Sequence, residues 1–381
     1  MAIESGSTGL RRYLMGGTCR ASSHEMWLNG AREQVFKGKK LKSDEENAGW
    51  AVFGNELSGA FALENLVNGK YVVLSLRRDR LRIPRTLLNL HCKSRALQRM
   101  KDLGSQSLAQ KQKAEIKAEV MEELAQSIMP EVQVVQVLVD TARREVLVGG
   151  TSAGMQEHFL RLFEKSFQLK CHEADFLAVA QRHMSRDAFE AVLDAPGMRL
   201  DASPEEPVAE SPQARLGSAF LTWMLHTVHE REGLWTTRHH GELGIMVDDS
   251  LLLEGEVSGS QQMLLKKGLL ASCAELATSL KVGKQVSRVR LQVAREQRPG
   301  AVETWAFTID KKNYDLAGVK APKIVEADPR QRRQLRLDAL SETFVMMDEL
   351  LHDFLEVRYG ASWKKASEKM QSWVRELQPA V

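Results

Sequence analysis

From Lys70 to Arg82 the chain alternates in the period of two that a pleated backbone imposes. Val72, Leu74 and Leu76 fall on one side and Val73 and Ser75 on the other. Asn68-Gly69 opens the predicted strand with a turn signal and Pro84 ends it, because proline has no N–H to give to a ladder. Towards its end the strand becomes Arg78, Arg80 and Arg82 against Leu81 and Ile83. The period then turns helical. Leu87, Leu90, Leu97 and Met100, or nearby Leu103, predict a helix from about Thr86 that Gly104-Ser105 breaks. Ser107 and Gln110 predict a capping box for a second helix, in which Ile116, Val120 and Leu124 repeat every four residues up to Pro130. Two helices joined by so short a turn predict an antiparallel hairpin over 84–130.

Strands are predicted at Val132–Val139 and Glu145–Val148, then an amphipathic helix at Gly154–Phe167 with Phe159, Leu162, Phe163 and Phe167 on one face. Between Pro196 and Pro212 four prolines and four acids replace the apolar pattern, which predicts a flexible acidic linker. A helix at Phe220–Val228, strands near Leu243–Val247 and Leu251–Glu256, and a helix at Ser272–Leu280 follow. Gln285–Val293 predicts a second arginine-bearing strand, with Val289, Leu291 and Val293 facing one way and Arg288, Arg290 and Gln292 the other. Gly283-Lys284-Gln285-Val286 at its start echoes Gly69-Lys70-Tyr71-Val72 at the first. Trp305–Ile309 predicts another strand. A long helix over Arg332–Arg358, near heptad through Leu340, Phe344, Met347, Leu351 and Phe354, and a short one carrying Trp363, Met370, Trp373 and Leu377 close the chain. The expected fold class is α+β: antiparallel sheets with packed helices, a projecting hairpin and a long C-terminal helix. Its expected regions are 1–195, a linker 196–214, a second α+β region 215–330 and C-terminal helices 331–381.

Charge changes this picture most. The 381 residues sum to only +3, yet residues 77–117 hold twelve basic side chains against three acids, a net of +9 that leaves −6 elsewhere. Such a concentration predicts a surface facing an anionic partner, foremost a nucleic-acid backbone. The competing reading is a solvated face balanced by acids nearby in space. The 43% hydrophobic and 27% charged content fits an ordinary globular protein, and no apolar run nears the roughly 18 residues of a membrane span. Gly16-Gly17 interrupts the stretch after Arg11-Arg12, which argues against a signal peptide. Cys19, Cys92, Cys171 and Cys273 lie too far apart for a zinc ribbon or a disulfide framework, so the expected location is the cytoplasm.

Candidate chemistries thin out quickly. Asp248, Asp249, Glu254 and Glu256 could hold a catalytic metal in a nuclease, but the lysine expected after a Glu-x spacing is absent. His226, His229, His239 and His240 lack matching Cys, Asp or Glu spacing for zinc. The chain has neither GxxxxGK[ST] nor GxSxG. Trp223, Trp235, Trp305, Trp363 and Trp373 read as core or interface anchors. No catalytic residue, metal or cofactor is therefore expected. No base-reading motif is present either, so the expected contacts are to phosphates and tolerant of sequence. The candidate DNA-binding residues are Arg77, Arg78, Arg80, Arg82, Arg85, Lys93, Arg95, Arg99, Lys266, Lys267, Lys284, Arg288 and Arg290.

The order of these features resembles the recombination-associated protein RdgC family. The likeness begins near Gly49-Trp50 and follows Asn68-Gly69-Lys70-Tyr71-Val72-Val73-Leu74, the basic strand to Pro84 and the hairpin closed by Glu122 to Pro130. It resumes at Phe220-Leu221-Thr222-Trp223, Lys266-Lys267 and Gly283 to Leu291, covering roughly residues 5 to 355 outside the linker. What the resemblance implies is a homodimer closed into a ring around double-stranded DNA. It also implies restraint of RecA-promoted strand exchange, nucleoid association, and no need of nucleotide or metal. The family closes its ring with an aromatic residue just past the hairpin and a Lys-Lys-Gln stretch, where this chain has Gln133 and Lys266-Lys267-Gly268. A metal-dependent nuclease, or a scaffold recruiting a protein through the C-terminal helices, are the alternatives.

Overall fold

A single antiparallel sheet runs through both halves of the chain. The structure is a computed structural model and describes residues 3, 6–16, 24–150, 152–198, 200, 210–255, 261–326 and 328–377. The first half supplies β1 (Thr8–Met15), α1 (His24–Glu33), β2 (Glu46–Ala51), α2 (Leu63–Leu66), β3 (Val67–Asn68) and β4 (Tyr71–Arg80). The hairpin α3 (Arg85–Asp102) and α4 (Gln110–Ser127) leads into β5 (Glu131–Asp140), β6 (Glu145–Gly149), α5 (Ala153–Phe167), β7 (Cys171–Glu173), α6 (Phe176–His183) and α7 (Arg186–Asp194). The second half adds α8 (Pro212–Glu230), β8 (Leu234–Thr237), β9 (Gly241–Glu254), β10 (Gln262–Lys266) and α9 (Ala274–Lys281). Last come β11 (Gln285–Arg298), β12 (Ala301–Asp310), β13 (Leu316–Lys320), α10 (Pro329–Arg358) and α11 (Trp363–Glu376).

The strand order is β10-β9-β11-β12-β13-β1-β6-β5-β4-β2, with β3, β7 and β8 pairing β4, β1 and β9. Thus β1 is the seam: it pairs β13 of the second half on one side and β6 of the first on the other. The alternation of side chains sorts the core into two layers. Leu10, Val73, Leu138, Leu147, Leu291 and Phe307 share one layer with Phe220 and Met224 of α8 and Phe344, Met347 and Leu351 of α10. Tyr13, Val72, Leu74, Leu76, Val137 and Val148 form the other with Trp27 of α1 and Phe159, Phe163 and Phe167 of α5. Gly217 lets α8 sit on the sheet, because a Cβ there would run into the Lys311 carbonyl oxygen. All five heptad-like apolar residues expected on the long helix are buried.

Several sequence expectations change. The strands expected at Leu243–Val247 and Leu251–Glu256 are one strand, β9, bulged where Asp249 takes φ of 57°. Helix α8 starts at Pro212 behind an Ser211 cap, so the end of the expected linker is helical; residues 201–209 and Glu256 lie outside the described residues, as does Cys19. The second hairpin helix is capped not by Ser107 and Gln110 but at Ala109, whose N–H donates to the Gln112 side chain at 2.9 Å. Burial of Leu108 between the hairpin helices sets this start. Leu90, Leu97 and Leu103 are exposed, whereas Leu87, Leu88, Cys92, Ala96 and Met100 face α4. A short helix has two candidate stripes here, and the one continuous with Ile83 packs. No helix among the described residues is long and apolar enough to cross a membrane.

At the seam lies a fully buried cation. Arg12 of β1 donates from both terminal nitrogens to Asp348 of α10 at 2.7 Å each. Its guanidinium lies 5.2 Å from the Tyr314 ring and 4.9 Å from that of Phe344. Glu145 of β6 is 3.5 Å away and is also held by Arg182 at 2.6 Å. Burial opposes the charge on Arg12, but Asp348 overcomes it and raises the pKa. Removing one partner of such a pair strands the other in low dielectric, at a cost of about 3–5 kcal/mol. Asp348→Ala is expected to lower denaturant stability by about that amount. Arg12→Met with Asp348→Leu should cost clearly less, and equal losses in both variants would contradict this account.

Candidate nucleic-acid interface

On β4 the residues from Tyr71 to Leu76 are buried, and full burial ends at Arg77, where the strand turns polar. Arg78 and Arg80 continue the face of Val72, Leu74 and Leu76; Arg77 and Asp79 continue the opposite one. Arg77 grips Asp79 two residues on, with Nε to Oδ1 at 2.8 Å and Nη2 to Oδ2 at 2.7 Å, and stacks 4.3 Å over Phe36. The hydrogen bond to Asp79 raises its pKa. Arg78 donates from Nε to Glu46 of the neighbouring β2 at 3.1 Å and from Nη1 to Gln133 at 3.4 Å. That hydrogen bond from Arg78 lowers the Glu46 pKa. His158 of α5 meets the other Glu46 oxygen at 3.0 Å. The expected row of three free arginines is therefore corrected: Arg78 is neutralised across the sheet and Arg80 is half-buried, while Arg82, past the strand end, is exposed.

The hairpin is a different environment. Its seam of Ile83, Leu108, Ile116, Val120 and Leu124 is buried with the α3 residues that face it. Each helix has 18 residues, which puts the tip about 27 Å beyond the sheet at about 1.5 Å per residue. Near the base, Arg95 pairs with Glu123 at 2.5 Å. The full span 77–127 adds Glu119, Glu122 and Glu123, so twelve basic residues face six acids and the net falls to +6. Glu122 and Glu123 lie towards the base and Glu119 about midway along α4. The free end instead groups Arg99, Lys101, Lys111, Lys113 and Lys117 against Asp102 and Glu115. All five of these cations are exposed, as are Arg85 and Lys93. Lys111 and Lys113 occupy the first turn of α4, which holds no acid. Positive charge there opposes the helix dipole, so this placement costs local stability. The candidate list drawn from sequence omitted Lys101, Lys111, Lys113 and Lys117, although they were visible in the charge run.

The second basic strand is largely neutralised. Arg288 pairs with Asp310 directly opposite on β12 at 3.1 Å, and Arg290 with Asp248 at 3.4 Å and the Thr308 hydroxyl at 3.4 Å. Lys284 is buried, 8% exposed, and does not present its charge. Lys266 and Lys267 are exposed at the far edge of the sheet on β10 and its following turn. The strand-to-strand register puts Arg288 and Arg290 on the same sheet face as Arg78 and Arg80. Six strand spacings of about 4.8 Å separate β11 from β4, or roughly 29 Å. One chain thus does not gather the expected residues into a single cluster. The acids Asp248 and Glu254 are likewise engaged, the latter by the Ser287 hydroxyl at 2.7 Å and Lys311 at 3.8 Å.

No protein-family model matches the chain, and comparison with curated proteins gives no match.

Burial lowers the pKa of His158 below 6.5, against the opposing pull of Glu46. A depressed histidine contributes stability above its unfolded pKa that is lost as pH falls through the folded value. Titration of the His158 ring by NMR is expected to give a midpoint below 6.5. Glu46→Gln should move that midpoint lower still; a rise would show that Glu46 does not act on the ring.

Proposed function

We propose that the chain is a DNA-binding protein of RdgC type that grips duplex through phosphate contacts made first by the tip of the α3–α4 hairpin. The observation that carries this reading is the group of exposed cations at the tip, Arg99, Lys101, Lys111, Lys113 and Lys117. A fold that pairs Arg77, Arg78, Arg95, Arg288 and Arg290 internally leaves these facing solvent, two of them against a helix dipole. Stability does not account for that arrangement, whereas counterion release from a polyanion does. The hairpin's reach suits a finger laid along a groove. In this reading a homodimer brings two such fingers and the Lys266-Lys267 edges around one duplex, and occupancy of the duplex restrains a RecA-type recombinase at the nucleoid. No bound nucleotide or metal is part of it.

Fluorescence anisotropy with a labelled duplex tests the interface. With about six phosphate contacts, log K should fall against log salt with a slope of roughly −5. Lys101→Gln, Lys111→Gln and Lys113→Gln together should flatten that slope by about 3. Arg288→Gln, whose cation is already paired, should change it little. A salt-independent constant, or an equal effect of Arg288→Gln and the triple variant, would sink the proposal. Closure of a ring has its own signature: protein should persist on circular duplex and run off linear duplex with free ends. Equal retention on both would leave an open finger binder.

A further inference from the structure

At the free end of the hairpin an apolar side chain stands among the cations. Leu103, the residue after α3, is 54% exposed. It lies seven residues after Ala96 and eleven after Cys92, in line with the stripe of α3 that packs on α4. The buried seam does not include it; Leu108, 6% exposed, closes that end instead. We propose, on the duplex reading above, that Leu103 is a wedge that enters between two base pairs from the minor groove and kinks the duplex. The preferred substrate is then DNA with an easily unstacked step.

The backbone is fixed on both sides of Leu103. Its N–H donates to the Arg99 carbonyl at 3.1 Å. The next two N–H groups, of Gly104 and Ser105, donate to the carbonyls of Lys101 at 3.2 Å and Met100 at 3.0 Å. Gly104 takes the left-handed φ of 59° that this helix end requires and that a side chain would resist. Ser105 then holds the turn: its hydroxyl donates to the Ser107 carbonyl at 2.7 Å and accepts the Ser107 N–H at 3.3 Å. The chain under the leucine is thus set before DNA arrives, which keeps the ordering cost of insertion low.

The surroundings match a groove. No acid occurs from Leu103 to Ala114, and the Asp102 carboxylate is engaged along α3, accepting from the Gln98 side chain at 3.3 Å. Arg99, Lys101, Lys111 and Lys113 are exposed within three residues of Asp102 or Gln110, the tip ends of the two helices. Three residues are about 4.5 Å of helix. The minor groove is about 7.5 Å deep, so cations set back that far meet phosphates at its edges while the leucine reaches the stacked bases. Gln106, exposed in the turn, brings an amide that can donate to the minor-groove acceptors of adenine and thymine. A wedge costs the duplex its stacking at one step, least at pyrimidine–purine steps and mismatches, and the bend draws phosphates onto the flanking cations. A tip that met phosphates alone would have no use for a leucine at its centre.

A duplex carrying 2-aminopurine at a central TA step tests the wedge, with donor and acceptor dyes on its ends to report a bend. The full chain is expected to raise 2-aminopurine fluorescence and to shorten the end-to-end distance. It should bind that duplex, or one with a central mismatch, about tenfold more tightly than a duplex of G·C pairs alone. Leu103→Ala should abolish the fluorescence rise and the preference while leaving the salt slope unchanged, since no cation is lost. Leu103→Phe should keep both signals. Duplex binding without unstacking or step preference overturns the wedge and leaves the phosphate reading standing; no duplex binding at all removes both. Full signals from Leu103→Ala would overturn the assignment as well. A circular-dichroism melt of each variant, expected to match the parent because Leu103 is exposed, separates lost insertion from lost folding.

Discussion

The fold hangs on one buried ion pair. Strand β1 joins the two halves of the sheet, and Arg12 at its centre is bound through both terminal nitrogens to Asp348 of the long helix α10. A wholly buried guanidinium is particular about register: shifting β1 by one residue would turn Arg12 to the opposite face of the sheet, away from Asp348. Hydrophobic packing against α8 and α10 supplies most of the favourable energy, but it is less particular about register. The ion pair makes the sheet and the helix agree on one alignment.

The same fold sorts its other charges by whether a partner can reach them. Along the sheet, strands stand close enough that arginines meet acids on neighbouring strands, as Arg78 meets Glu46 and Arg288 meets Asp310. Those pairs tidy the surface and remove field. The hairpin largely escapes that fate because, among the described residues, its two helices pack chiefly against each other and its tip cations show no ion pair. Field is therefore concentrated at the tip by geometry more than by composition.

Much of the architecture could be read from short-range pattern. The alternation of β4 and β11, the α5 phenylalanines and the Leu340–Phe354 spacing of α10 all appear in the fold, because each depends only on which side of a strand or helix a residue lies. The seam was not legible. Residues 8–15 mix Arg11 and Arg12 with Leu10, Tyr13 and Leu14, and a buried arginine inside a strand erases the alternation that would announce it. On α3, periodicity offered Leu90 and Leu97 as the packed stripe, and only the presence of α4 decided for Leu88, Cys92 and Ala96.

What the chain determined by itself was where strands and helices form and where positive charge gathers, since both follow from residues within a few positions of each other. Which charges remain free was decided only in three dimensions. Arg78 finds Glu46 across 32 residues and Arg12 finds Asp348 across 336, distances over which sequence proximity carries no information. Whether an arginine is silent inside a pair or active on a surface is set by what the fold brings beside it. For this protein that decision leaves exposed positive charge at the end of the hairpin and pairs much of it on the basic strand.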